Sequence, residues 1–398
     1  LRRRPAAAPA VDLTLTEQAV AEGRMVEAVA TVDNPDAVGY DVLVVRTRVS
    51  PWLRMVGHER PSVFRVPPGD FIERVLPGEA LRWGRHPVGP AVAEVTACDG
   101  LLRHSAVVSG ARTVRVYPVT EPFSADEAMP RAAGLVGAHR SRRPGEGGEL
   151  AGVRMFAPGD RLRRIDWRIS LRARHLHVAA TLSDRDAEVV LLLDVLAEAG
   201  RSGGIGGPAS VLDTTVRAAA AIGEHYLHQG DRVSMLEYGP VARRLRPAAG
   251  RRQYLTLLEW LLDVRVHPAP YEPYDNVFGP HLLSANALVV VLTPLIDSRS
   301  AAMLARLARA GRFVVAVDTL PAAATPGRPD PWLDVATPGR PDPWLDVAHR
   351  LWRLERENTI GQLREHGVPV VVWAGSGSLD QVLRDVSRLA SGPKPVLQ

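Results

Sequence analysis

The chain has 398 residues, 46% of them hydrophobic, and a formal net charge of +5. That is enough for two or three packed domains of about 100–200 residues. Its single cysteine, Cys98, excludes an intramolecular disulfide, and no apolar run approaches the about 18 residues of a membrane span. Positive charge is almost all arginine, Lys394 being the one lysine. Together with abundant Ala, Gly, Pro and Val this reads as coding bias. No basic stripe with interleaved aromatics accompanies it, so nucleic acid is not an expected partner. No signal peptide is visible. The opening Leu1-Arg2-Arg3-Arg4-Pro5 lacks Met and fits the cytoplasmic flank of an upstream membrane segment. A place at the cytoplasmic face of the membrane is therefore expected.

Residues 10–118 read as β. Val11–Leu15 and Val26–Val32 alternate apolar and polar side chains, and Tyr40–Val49, Phe71–Leu76, Val88–Thr96, Ser105–Ser109 and Ala111–Tyr117 follow. Asp33-Asn34-Pro35, Pro67-Pro68-Gly69-Asp70, Pro77-Gly78 and Asp99-Gly100 read as the turns between them. Short, evenly spaced strands predict an antiparallel, Ig-like sandwich. Residues 119–186 read as a Pro/Gly/Arg-rich linker running into a basic connector.

From 187 to 398 strands alternate with helices. The strands are Ala187–Val195, Asp231–Tyr238, Asn286–Leu295, Arg312–Leu320 and Gly367–Ala374, with Val241–Arg246 as an edge. The helices are Ala209–His228, Arg251–Leu262, Ser300–Ala310, Pro343–His366 and Leu379–Leu389. Val-rich runs separated by helices predict a parallel sheet covered on both faces. Asp342-Pro343 suits a helix start. The twelve residues Ala324–Val335 recur unchanged as Ala336–Val347. That tandem is too short for a solenoid and reads as a duplication in a surface loop.

Chemistry-bearing patterns are sparse. Gly200–Gly207 precedes a helix as a phosphate loop would, but its spacing matches neither a dinucleotide fingerprint nor a Walker A loop, and it has no Lys. A nucleotide-binding enzyme built on it is the weaker alternative. His175 and His177 share one face of an expected strand, and His225 and His228 sit three apart on a helix; no Cys or further His completes a metal set. Cys98 has no evident base, and no G-x-S-x-G elbow occurs. No catalytic residues are assigned, and no enzyme activity is expected.

The connector is the most specific segment. Arg154-Met155-Phe156-Ala157-Pro158-Gly159-Asp160 leads through Arg164-Ile165-Asp166-Trp167 to Ser170 and Arg172. Asp160 and Asp166 are suited to bidentate hydrogen bonds from Arg, and Trp167 is suited to anchor the segment in an apolar seam. Arginines left over would form a docking face for an acidic partner. Phe156, Pro158, Gly159, Asp160, Arg164, Ile165, Asp166, Trp167, Ser170, Arg172, Leu176 and Val178 together resemble the signature of the domain of unknown function 58 family. Arg161, where the family often has Asp, and Leu171, where Ala is usual, depart from it.

The resemblance implies a C-terminal von Willebrand factor A-like domain after the sandwich. Such a domain places a Mg²⁺ site at the end of its first strand, as Asp-x-Ser-x-Ser with a Thr and an Asp from other loops. Here Asp194-Val195-Leu196-Ala197-Glu198 offers no oxygen at Leu196 and a longer, charged side chain at Glu198. The 271–280 loop has no Thr, and Thr293-Pro294 stands where an Asp is looked for. The expectation is a degenerate metal position at Asp194 with no cofactor, a metal-dependent adhesion module being the alternative. The resemblance further implies a non-catalytic adaptor partnered with a MoxR-type AAA+ ATPase in assembling or remodelling envelope complexes. Arg164 and Asp166 are expected to matter more than Asp194, for folding or for partner capture.

Overall fold

The computed structural model describes residues 8–119, 144–156, 165–182, 188–278, 283, 287–321 and 344–375. The chain divides into two compact units: 1–119 with 203–207 and 261–263, and the remainder.

The first unit holds eleven strands among its described residues: β1 (Ala10–Leu15), β2 (Ala19–Ala21), β3 (Met25–Asp33), β4 (Tyr40–Val49), β5 (Leu53–Met55), β6 (Ser62–Val66), β7 (Phe71–Ala80), β8 (Gly84–Ala97), β9 (Leu102–Arg103), β10 (Val107–Val108) and β11 (Arg112–Tyr117). One sheet runs β1-β3-β7-β5 and the other β2-β11-β8-β4-β6, with β9 and β10 paired to β8. All pairs are antiparallel except β11 with β2. The period-two alternation aims Leu13, Val26, Ala28 and Val32 of one sheet, and Leu43, Val45, Ala93 and Val95 of the other, into one shared core. A register shift between Tyr40 and Val42 changes the parity of β4, so that Tyr40 and Leu43 both point inward.

Pro77-Gly78 is not a turn but lies inside β7. Gly78 pairs with Met55, and a Cβ there would fall 2.6 Å from the Met55 Cγ, so only glycine lets β5 approach. Among the described residues of this unit two charged side chains are buried. Arg74 donates to the carbonyls of Val45, Gly57 and Arg60 at 3.0, 2.6 and 3.1 Å, and burial pulls its pKa down. Glu22 accepts from the amides of Trp83 and Val119, each at 3.0 Å.

In the second unit β12 (Pro144–Met155) pairs antiparallel with β13 (His177–Leu182), with α1 (Trp167–Ala173) in the chain between them. This ordered ribbon occupies part of the stretch expected as linker and connector. A six-stranded sheet follows, in the order β16 (Arg244–Ala248), β15 (Arg232–Tyr238), β14 (Glu188–Asp194), β17 (Ala287–Thr293), β18 (Phe313–Asp318), β19 (Val370–Val372). Only β16 is antiparallel. Every residue of β14 and β17 is buried, which their unbroken Val/Leu runs require of central parallel strands.

The helices are α2 (Val211–His228), α3 (Arg251–Leu261), α4 (Tyr274–Val277), α5 (Ser298–Arg309) and α6 (Leu345–Glu365). Gly223 of α2 lets α3 approach, since a Cβ there would meet the Leu257 Cδ1 at 2.6 Å. The tandem repeat up to Pro343 and the expected helix Leu379–Leu389 lie outside the described residues. Among the described residues no helix is long and apolar enough to cross a membrane.

Candidate functional site

In open α/β sheets ligands gather at the carboxyl ends of the strands, where the strand order reverses. Here that point lies between β14 and β17, which end in Asp194 and Thr293. Asp194 is buried. Its Oδ2 accepts from Thr293 Oγ1 at 2.7 Å and Ser300 Oγ at 2.6 Å, and its Oδ1 from the Leu196 amide at 3.1 Å. Thr293 Oγ1 in turn accepts from the Leu295 amide at 3.1 Å. Burial pushes the Asp194 pKa up, against the opposing pull of the Ser300, Thr293 and Leu196 hydrogen bonds, and nearby Asp297 adds to the rise.

The elements around Asp194 are tied down by a second set of contacts. Asp297 caps α5 through the Arg299 amide at 2.9 Å and forms an ion pair with the Arg299 guanidinium at 2.6 Å. Those hydrogen bonds from Arg299 hold the Asp297 pKa below the usual carboxylate value, with burial acting against them. Arg299 also donates to the carbonyls of Ala269 and Tyr271 at 2.7 Å each. Tyr238, which ends β15, donates to Glu272 at 2.5 Å. Burial, then the Glu272 hydrogen bond and charge, drive the tyrosine pKa far up.

A divalent cation needs several free oxygen lone pairs, and the donor set does not supply them. Both Asp194 oxygens are engaged by protein donors, and Leu196 contributes a hydrocarbon side chain. Glu198 accepts from the amides of Ala199 and Leu212 at 3.2 and 3.1 Å. Among the described residues no group of three or more His, Cys, Asp or Glu could hold a metal. Sequence reading placed Asp194 at the strand end but missed Ser300, and it treated Thr293 only as the place of a missing Asp. The sequence signal was the cap at Asp297, which fixes where α5 begins and sets Ser300 in its first turn.

The phosphate-loop alternative meets the same obstacle at α2. Ser210 and Asp213 form a reciprocal capping box there, and Glu198 covers the Leu212 amide. The helix N-terminus that would attract a phosphate is already occupied by carboxylates. His175 lies before β13 rather than on it, and His177 opens that strand with its Nδ1 2.8 Å from the His175 carbonyl. His225 is buried in the last turn of α2, 3.0 Å from Gln229 Nε2.

The connector residues divide as follows. Pro158, Gly159, Asp160 and Arg164 lie outside the described residues. Arg154 is in β12, and Phe156 follows it with its amide bound to the Leu176 carbonyl at 2.8 Å. Among the described residues no arginine forks onto Asp166. It is the N-cap of α1, accepting from the Ile169 amide at 3.0 Å. Ser170 is buried; its hydroxyl accepts from the His177 amide at 2.8 Å and donates to the His177 carbonyl at 3.3 Å, binding α1 to β13. Ile165 and Val178 form a bridge beneath.

Trp167 finds no apolar seam among the described residues. It is 61% exposed, Leu171 is 79% exposed, and Met155, Ile169 and Leu176 are exposed as well. Arg168, Arg172 and Arg174 are exposed on the same short helix and its C-cap. The two carboxylates differ in surroundings: Asp166 supports one exposed cap, whereas Asp194 is the common acceptor of three buried donors.

Comparison with known proteins gives limited relatives. Uncharacterized proteins of Mycobacterium tuberculosis and Mycobacterium bovis are each 31% identical over 136 residues, 34% of this chain. The matched segment spans only 42% of the length of those relatives. Among solved structures, the cupredoxin domain of amoB from Nitrosocaldus yellowstonii aligns at 9% identity and a TM-score of 0.20, covering 31% of this chain and 95% of that one. The CARDB domain of PF1109 from Pyrococcus furiosus aligns at 14% identity and 0.21, covering 27% and 88%. Likeness that low carries no argument about function. What the connector and all strands of the six-stranded sheet but β19 do share with a family is sequence: residues 152–323 match the model of the family described as Protein of unknown function DUF58.

Proposed function

We propose that the chain is a non-catalytic interaction module that docks a protein partner on the connector ribbon. The observation that carries this is the pair Trp167 and Leu171, one turn apart on the same side of α1 and both exposed, with Arg168, Arg172 and Arg174 exposed on the same short helix and its C-cap. Apolar side chains left in water and rimmed by one sign of charge mark an interaction surface, and Trp and Arg are the residue types that dominate binding energy. The partner then presents an apolar groove with an acidic rim. The family resemblance points to a MoxR-type AAA+ ATPase at the cytoplasmic face of the membrane.

A von Willebrand A-like reading of the α/β half draws support from the strand order, with its single antiparallel edge strand β16, and from Asp194 at the point of reversal. In this reading partner contact rests on shape and charge rather than on a bridging cation. The test is capture of a MoxR-type ATPase from the same genome by immobilised protein. Trp167→Ala and Leu171→Ser should each abolish capture while circular dichroism stays unchanged. Undiminished capture by both variants would sink the proposal.

A further inference from the structure

The helix α6 has two apolar sides. On one, Ile360 and Leu363 pack into the core of the α/β sheet. On that side too, Arg356 lies 2.5 Å from Asp318 and donates to the Pro294 carbonyl at 3.0 Å. On the other, Val347, Leu351 and Leu354 face water, Leu351 at 58% and Leu354 at 61% exposure. At about 3.6 residues per turn the two sets lie on opposite sides of the helix. A helix in a folded domain normally keeps charged or polar residues on its outer face, so this apolar stripe needs an occupant.

The spacing of the stripe identifies the occupant. Steps of three, four and three residues are the seam of a heptad pattern, with Trp344 and Leu351 at a, Val347 and Leu354 at d, and exposed Asn358 at the next a. Arg350 falls at g and Glu355 at e, both exposed, and each lies beside the seam. We propose that this face is a homodimer seam, in which two copies of α6 pair as a short parallel two-stranded coiled coil over residues 344–358. In that pairing Arg350 meets the partner's Glu355, and the symmetry repeats the attraction.

Asn358 sets the direction. Parallel helices place it against the partner's Asn358, a pairing that selects two strands in register. Antiparallel helices would set its amide against the partner's Val347, an unsatisfied polar group on hydrocarbon. The seam is short, so the dimer is a weak one. Its helix is already held by the sheet, and little ordering is lost on association.

Sedimentation velocity of the full chain across a wide concentration range tests the proposal. The wild type should pass from monomer to dimer. Leu351→Arg should hold it monomeric with an unchanged melting temperature. Arg350→Glu and Glu355→Arg should each weaken the dimer about tenfold, since each creates two like-charge contacts, and the double variant should restore it. In a Cys98→Ser background, Val347→Cys should give a disulfide-linked dimer on mild oxidation. A wild type that stays monomeric throughout overturns the proposal. So does a Leu351→Arg variant that melts early without changing mass, which would mean that a segment of the same chain covers the stripe. Failure of Val347→Cys to cross-link a dimeric protein overturns the parallel arrangement.

Discussion

Replacing Asp194 with alanine tests whether this carboxylate is a structural hub. The change removes the common acceptor of the Thr293 hydroxyl, the Ser300 hydroxyl and the Leu196 amide in a buried site. Each buried donor left without a partner costs about 1–3 kcal/mol. Two of the three are hydroxyls that can turn elsewhere, and the variant no longer buries a charge. The net loss is then about 3–5 kcal/mol, in the range for breaking a buried charged pair. For a unit of this size each kcal/mol lowers the melting temperature by about 2–4 °C, so a fall of about 6–20 °C is expected. Asp194→Asn keeps the shape and one acceptor oxygen, and its amide can donate to the hydroxyls, so about 1 kcal/mol is expected. Thermal melts and urea titrations read by circular dichroism measure both variants. The reasoning fails if the alanine variant unfolds within about 0.5 kcal/mol of the wild type, or if asparagine is as damaging as alanine. Calorimetric titration with Mg²⁺ belongs in the same series, and tight stoichiometric binding abolished by Asp194→Asn would restore the metal site.

Glu237 is buried beside Arg243 at 2.7 Å, and burial raises its pKa from 4.5 to about 7 against the pull of Arg243. The fold keeps this proton after the unfolded chain has lost it, so stability from this group falls as pH rises from about 4.5 to about 7. Glu237→Gln should flatten that slope in urea midpoints, and a wild-type-minus-variant difference constant with pH would refute it. Arg356→Ala leaves Asp318 buried and unpaired and should cost about 3–5 kcal/mol in the same titrations. Asp166→Ala removes one exposed cap and should cost about 1 kcal/mol; a loss as large as that of Asp194→Ala would refute this.

Much of the strand and helix pattern was legible because burial writes a strong period into sequence. The runs at 189–193 and 287–292 are apolar throughout because both faces of a central parallel strand are covered. The strands β2, β5 and β9 were missed because three residues or fewer carry no period. Pro77-Gly78 was misread because a close approach by β5 demands the same glycine that a turn would. The connector was recognised by its motif, yet its geometry was not. Whether Asp166 caps a helix or binds an arginine depends on where α1 begins, and whether Trp167 is covered depends on residues far along the chain. At the carboxyl ends of the central strands, Ser300 was marked only through the Asp297 cap that sets the start of α5. Its contact with Asp194 exists only because the strand order places β14 and β17 side by side.

The guanidinium of Arg74 has a consequence for the chain between β5 and β6. Two of its three acceptors, the Gly57 and Arg60 carbonyls, belong to that surface segment. Surface loops ordinarily accept insertions and deletions freely. This one must deliver two carbonyls to a buried cation at fixed spacing, and the five-pronged donor that collects them has no substitute in a single ammonium group. Natural variants should therefore conserve the length of residues 56–61 while their outward side chains drift, and an engineered tag placed there should unseat the sandwich rather than ride on it.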